Sequence, residues 1–176
     1  MKLTTNNLRR TTHGFTLVET LVYIGILVVL FLALTNAIIV VSRSYNNLVG
    51  QRAVAASIIS TYDRLAREIR NATSIDTADS TFNSSPGTLA IFVGTGSSQI
   101  TRKFYLSGGA VAVSDNGVFE GNLTSAQAST TSLIFRLLTA TTTDAVRVQM
   151  TISPTTTPSQ TVTVYDTFVV RSTYEQ

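Results

Sequence analysis

Cysteine and tryptophan are absent from the 176 residues, histidine occurs once, proline three times, and charged side chains make up only 13% of the chain. Each scarcity removes a class of function. Without cysteine there is no disulfide framework, no thiolate nucleophile and no Cys-ligated metal. The single imidazole, His13, lies next to a basic N-terminal segment. Beyond it the chain offers neither His nor Cys for general-base, covalent or transition-metal chemistry. Carboxylate-only catalysis stays formally open, but a non-enzymatic protein without metal or cofactor is expected. Soluble domains carry roughly 25% charged residues, so a chain with about half of that must concentrate its apolar residues somewhere. It does so from Thr20 to Ser42, where no charge occurs. The length suits one ordinary domain with an attached segment.

The net charge of +3 is local. Lys2, Arg9 and Arg10 all precede the first acid, Glu19, and removing residues 1–14 takes three of the 13 basic residues and none of the 10 acidic ones. The remainder, left with 10 of each, is neutral. This argues against nucleic acid as a partner, though a local basic patch stays open.

The run Phe15 to Val41 has 27 residues and no proline. As a helix it covers about 40 Å, more than the roughly 30 Å of a bilayer's hydrocarbon core. Basic residues ahead of it hold the N-terminus in the cytoplasm and send the rest across. A secretory signal peptide needs a shorter apolar core and an A-x-A cleavage site; Ala33 and Ala37 are not spaced that way, which favours a membrane anchor. Glu19 is out of place at the start of the run. An ionised side chain at the bilayer centre costs about 2.5–3.5 kcal/mol, and no Lys or Arg lies within the run to pair with it. An unpaired acid at the level of the interface is the plain alternative.

Gly14-Phe15-Thr16-Leu17-Val18-Glu19 resembles the processing site of type IV prepilins and pseudopilins: a short basic leader ending in Gly, then Phe, three residues and Glu. The resemblance implies that a membrane prepilin peptidase cuts between Gly14 and Phe15 and methylates the Phe15 amine. It also implies that Glu19 meets the Phe15 amine of a neighbouring subunit during assembly. The implied partners are other pilin or pseudopilin subunits, the peptidase, an inner-membrane assembly platform, and membrane lipid before assembly. The implied location is a single-pass inner-membrane protein with its N-terminus in the cytoplasm, later part of a pilus or pseudopilus fibre. Leu17 to Val41 is the packing and anchoring stretch. Within it Gly25 permits close approach of a neighbour, and Asn36 stands where many major pilins carry a kinking proline. Asn36 reads as an interhelical hydrogen-bonding residue in preference to a hinge.

Beyond Val41 the pattern turns one-sided. Tyr45, Leu48, Ala55, Ile59, Tyr62, Leu65 or Ala66, and Ile69 recur at helical spacing, which predicts one helix from Phe15 to about Asn71. Arg64, Arg67 and Arg70, with Asp63 and Glu68, read as a solvated, ion-paired face. Asn71 to Pro86 reads as a loop. Strands are predicted at Thr88–Val93, Ile100–Leu106, Ala110–Ser114 with a return at Val118–Phe119, Ser132–Leu138, Ala145–Ser153 and Thr161–Arg171. Tight turns are predicted at Gly108-Gly109 and Asp115-Asn116-Gly117, the latter in preference to a calcium loop. The sequons at Asn71, Asn83 and Asn122 carry little weight in a chain so rich in Ser and Thr.

The fold expected is therefore α+β, a long N-terminal helix packed on an antiparallel β-sheet. The divisions are a cleaved leader 1–14, a transmembrane and assembly helix 15–42, an amphipathic helix 43–71 and a β-rich head 72–176. The head resembles, in segment order only, the J component of type II secretion and W-type minor pilins: Ile100–Leu106, Leu123–Ser125, Leu133–Phe135, Val146–Val148 and Val169–Arg171. A structural minor subunit is the leading expectation. A fibre-tip module for DNA uptake or surface adhesion, using its exposed Thr- and Pro-rich loops, is the alternative.

Overall fold

The computed structural model describes residues 14–139 and 144–170. The leader through His13, residues 140–143 of the Thr-rich connection, and the predicted strand end at Arg171 lie outside them. The first element is an unbroken helix, α1 (Leu17–Asn71). Neither Gly25, Asn36 nor Gly50 interrupts it. The chain divides into two compact units between Arg43 and Ser44.

In the first unit, no residue of α1 is buried. An all-round apolar helix with no cover among the described residues has the composition of a membrane span or a packed bundle member.

In the second unit the remainder of α1 lies on two antiparallel sheets. One is a five-stranded meander in the order of the chain, β1 (Ala72–Thr81), β2 (Thr88–Val93), β3 (Ile100–Ser107), β4 (Ala110–Asp115) and β5 (Val118–Asn122). The other has three strands, β6 (Ala128–Thr139), β7 (Asp144–Pro154) and β8 (Val162–Val169). The fold class is thus the α+β arrangement expected, with two sheets in place of one. Backbone bonds join them: Gly87 N–H donates to the Leu133 carbonyl and Asn83 N–H to that of Phe135, both at 2.8 Å, and Thr130 N–H to that of Gly109 at 2.7 Å. One apolar core runs through helix and sheets, including Val54, Leu65 and Ile69 from α1, Leu89, Ile91, Phe104 and Val111 from the meander, and Leu133, Phe135, Val148 and Met150 from the second sheet.

Further expectations are corrected. Residues 72–81 form a strand, where a loop was predicted. β1 is an edge strand with only Ala72 buried, so it has no apolar alternation to advertise it. Ser80 substitutes a side chain for part of its ladder, accepting the Ala90 N–H at 2.9 Å. The buried face of α1 also differs from the apolar one. Tyr45, Leu48, Ala55 and Ile59 are exposed; Tyr62, Leu65 and Ile69 are buried as expected, joined by Gly50, Val54, Ser57, Thr61 and Glu68. The buried stripe keeps three- and four-residue steps but uses small and polar side chains, because backbone comes close there. A Cβ on Gly50 would stand 2.9 Å from Pro154 Cβ. Ser57 Oγ accepts the Ser125 N–H at 3.0 Å, and Ser60 Oγ donates to the Leu123 carbonyl at 2.9 Å. Tyr62 donates to the Val164 carbonyl at 2.9 Å, and burial pushes its phenol up to about 12. The predicted turns hold: Gly108 and Gly109 have φ of 57° and 79°, Asn116 and Gly117 of 49° and 82°.

Glu68, placed on the solvated face by its spacing, is instead the hub of an ion cluster joining α1 to the meander. It pairs with Arg64 at 2.9 Å and with Arg102. Arg102 also grips Asp115 with two parallel bonds of 2.7 and 2.6 Å. Arg64 reaches on to Glu120 at 3.2 Å. The bonds from Arg102 hold the Asp115 carboxyl below its ordinary value. Among the described residues Arg67 and Arg70 are exposed, as expected, but form no ion pair, where an ion-paired face was expected.

Candidate processing and assembly site

The first turn of α1 is built by a local sequence rule. Thr16 precedes the helix and its Oγ1 accepts the Glu19 N–H at 3.2 Å, while its carbonyl accepts the Thr20 N–H at 3.1 Å. Thr followed three residues later by Glu is the spacing of a capping box, and Thr16 supplies its forward half. Glu19 thereby sits in the first turn, where the positive end of the helix dipole favours an anion.

The Glu19 carboxylate has one side-chain partner among the described residues. Tyr23, one turn on, donates its hydroxyl to Glu19 Oε1 at 3.2 Å. The Tyr23 ring also meets the Phe15 ring edge-on, with centroids 6.1 Å apart and planes at 74°. Phe15, Glu19 and Tyr23 thus share one face at steps of four. One oxygen of the carboxylate is held by the phenol and the other is free to accept from a further donor.

The peptide ahead of this turn is open. Gly14 has nothing within 4 Å of the position a Cβ would take, and Phe15 and Leu17 are 75% and 82% exposed. Gly25 is equally bare, with no atom within 4 Å of a Cβ position. Asn36 is exposed, and its side chain has no hydrogen-bond partner among the described residues. The structure therefore gathers Phe15 and Glu19 with the bond beside Gly14, and leaves Leu17, Gly25 and Asn36 as separate surface positions. Thr16 and Tyr23 were not singled out in the sequence, although both spacings were readable there: Thr-x-x-Glu for the cap and i, i+4 for the phenol and carboxylate.

Residues 9–35 match the family model described as the prokaryotic N-terminal methylation motif. No curated protein and no solved structure matches the chain significantly. The motif match takes in Gly14, Phe15, Glu19, Tyr23 and Gly25 and ends before Asn36, so it assigns nothing to the head. Together, the matched motif, the long apolar helix it runs into and the α+β fold support a membrane-anchored, prepilin-like pilin or pseudopilin.

Proposed function

We propose that this chain is a structural subunit of a pilus or pseudopilus, made as a precursor, cut between Gly14 and Phe15 and methylated at Phe15. The observation that carries the reading is the matched motif combined with an acid embedded at the head of an otherwise bare apolar helix. Hydrolysis of the Gly14–Phe15 amide frees an ammonium one turn from Glu19, at the level where a cation was missing. Methylation keeps its charge and removes one donor. Within a chain this ammonium is near its own Glu19; the amine of another subunit reaches the free carboxylate oxygen from outside. In a low-dielectric bundle such a pair fixes register, since slipping by one turn strands a buried charge.

The residue roles follow. Gly14 gives the peptidase an unobstructed bond, Phe15 carries the new terminus, and Glu19 receives a subunit amine while Tyr23 holds it in place. Leu17 to Val41 spans lipid before assembly and packs among subunits afterwards, with Gly25 a point of close approach and Asn36 a donor to a neighbouring helix. The orientation is N-terminus in the cytoplasm, with residues from about 43 onward outside the membrane and the assembly platform drawing the subunit out of it. A minor subunit of the J or W type is the finer reading, supported by segment order in the head.

Mass spectrometry of the chain recovered from cells tests the processing: a mature form starting at methylated Phe15 is expected, and any other start overturns it. Glu19→Ala tests the assembly role, since the variant should be cut normally yet be missing from sheared fibres. Its normal incorporation would remove Glu19 from assembly while leaving the processing intact.

A further inference from the structure

The outer face of the second sheet carries a second cluster that the processing site does not use. Arg136 on β6 and Arg147 on β7 are direct cross-strand partners. Both alternate with buried residues, Phe135 beside one and Val146 and Val148 beside the other, so both side chains stand on the outer face. Cross-strand partners have Cβ atoms only about 4.5–5.5 Å apart, and like charges placed so are destabilising. Among the described residues no acid pairs with them. The two acids of these strands, Asp144 and Asp166, fall in rows of the opposite face, across from Thr139 and Val148.

The neighbours are the groups an anion needs. Gln149 follows two residues after Arg147 and is paired across the sheet with Tyr165 of β8. The Arg147 guanidinium lies 5.6 Å from the centre of the Tyr165 ring, which fixes one of the two forks. Arg136, Arg147, Gln149 and Tyr165 line a single depression of about 240 Å³. Elsewhere in this neutral unit the arginines that meet across elements are matched by carboxylates, as Arg64 and Arg102 are by Glu68, Glu120 and Asp115.

We infer that this depression is a binding site for an oxyanion, phosphate or carboxylate, bridged by Arg136 and Arg147 and oriented by Gln149 and Tyr165. Guanidinium forks bind such heads with paired, charge-assisted bonds. A bridging anion converts the cross-strand repulsion into two attractions.

The test uses the full chain in mild detergent, unfolded by heat at constant ionic strength, with sodium chloride replaced stepwise by inorganic phosphate or, in a separate arm, by glucuronate. A bound anion stabilises only the folded form. At ten times its Kd the wild-type midpoint should rise by about 3–6 °C beyond any rise seen in Arg147→Gln, the variant serving to subtract the general salting effect of phosphate. Arg136→Gln should lose the same response, and in chloride alone should melt no lower than wild type because its removal relieves the repulsion. A response to phosphate only, to glucuronate only or to both supports the site and identifies the source of the anion. Equal responses in wild type and both variants, no response in either arm, or a lower melting point of Arg136→Gln in chloride would overturn the inference.

Discussion

Removing Arg102 tests how the helix is fastened to the meander. The Arg102 side chain is 12% exposed and that of Glu68 9%, so both charges are largely withdrawn from water. Breaking a buried pair by deleting one partner costs about 3–5 kcal/mol, because the survivor is left uncompensated. Here the survivors have other recourse. Glu68 keeps Arg64 at 2.9 Å, and Asp115 is 30% exposed and regains water. The lower end, about 3 kcal/mol, is therefore the expectation for Arg102→Ala. Glu68→Ala should cost less, about 1–2 kcal/mol, since Arg102 retains its two bonds to Asp115 and Arg64 retains Glu120. The assay is urea unfolding of the full chain in detergent, followed by tyrosine fluorescence, as the chain has no tryptophan. The inequality is the sharp part of the prediction. A loss below about 1 kcal/mol for Arg102→Ala, or a loss for Glu68→Ala that equals or exceeds it, refutes the account of Arg102 as the residue that joins the cluster.

Three further outcomes follow. Tyr23→Phe keeps the ring against Phe15 and deletes only the bond to Glu19; one hydrogen bond of about 1 kcal/mol should lower fibre incorporation roughly fivefold without slowing cleavage, measured by immunoblot of sheared fibres, and unchanged incorporation removes Tyr23 from assembly. Gly50→Ala should destabilise the head although Ala is the better helix former by about 1 kcal/mol, because its methyl enters the space of Pro154 and Thr156; a rise in the urea midpoint counts against that close contact. The depressed Asp115 carboxyl contributes stability that is present above the ordinary value of 3.8 and is lost as pH falls through its lower folded value. Acid unfolding below that ordinary value should accordingly be less steep in Asp115→Asn, and identical acid curves would show that the Arg102 bonds do not hold the carboxylate.

The N-terminal methylation motif was legible because its pattern is local. Gly14, Phe15 and Glu19 lie within six residues of one another, and the apolar run behind them needs only composition to be seen. The strands of the meander after β1 were legible for a similar reason, since alternation and Gly- or Asn-marked turns are short-range signals. What escaped depends on distant partners. Glu68 is separated by 34 positions from Arg102, which in turn lies 13 from Asp115. No spacing rule joins them, and Glu68 next to Arg64 and Arg67 looks like any solvated helix face. Of the buried stripe of α1, Tyr62, Leu65 and Ile69 were read and the first half escaped, because burial there follows backbone approach: Gly50 and Ser57 are inside while Ile59 is 62% exposed. β1 escaped because an edge strand with one buried residue leaves no pattern to read.

Apolar exposure and charge point to different partners for the first unit. Leu17, Phe31 and Val41 are 82%, 68% and 68% exposed, so the stretch gains by any apolar cover, and lipid tails satisfy that need on every side. Lipid tails do nothing for Glu19. The phenol of Tyr23 engages one of its oxygens and brings no positive charge. Lys2, Arg9 and Arg10 all precede the proposed cleavage bond, so the proposed cut, which creates the Phe15 ammonium, also removes them. On the proposed reading, processing exchanges a cationic leader that keeps the chain in the membrane for a single cation placed to meet an acid. The membrane then remains a good solvent for Leu17 to Val41 but a poor one for Glu19, and that difference favours a neighbouring subunit over lipid.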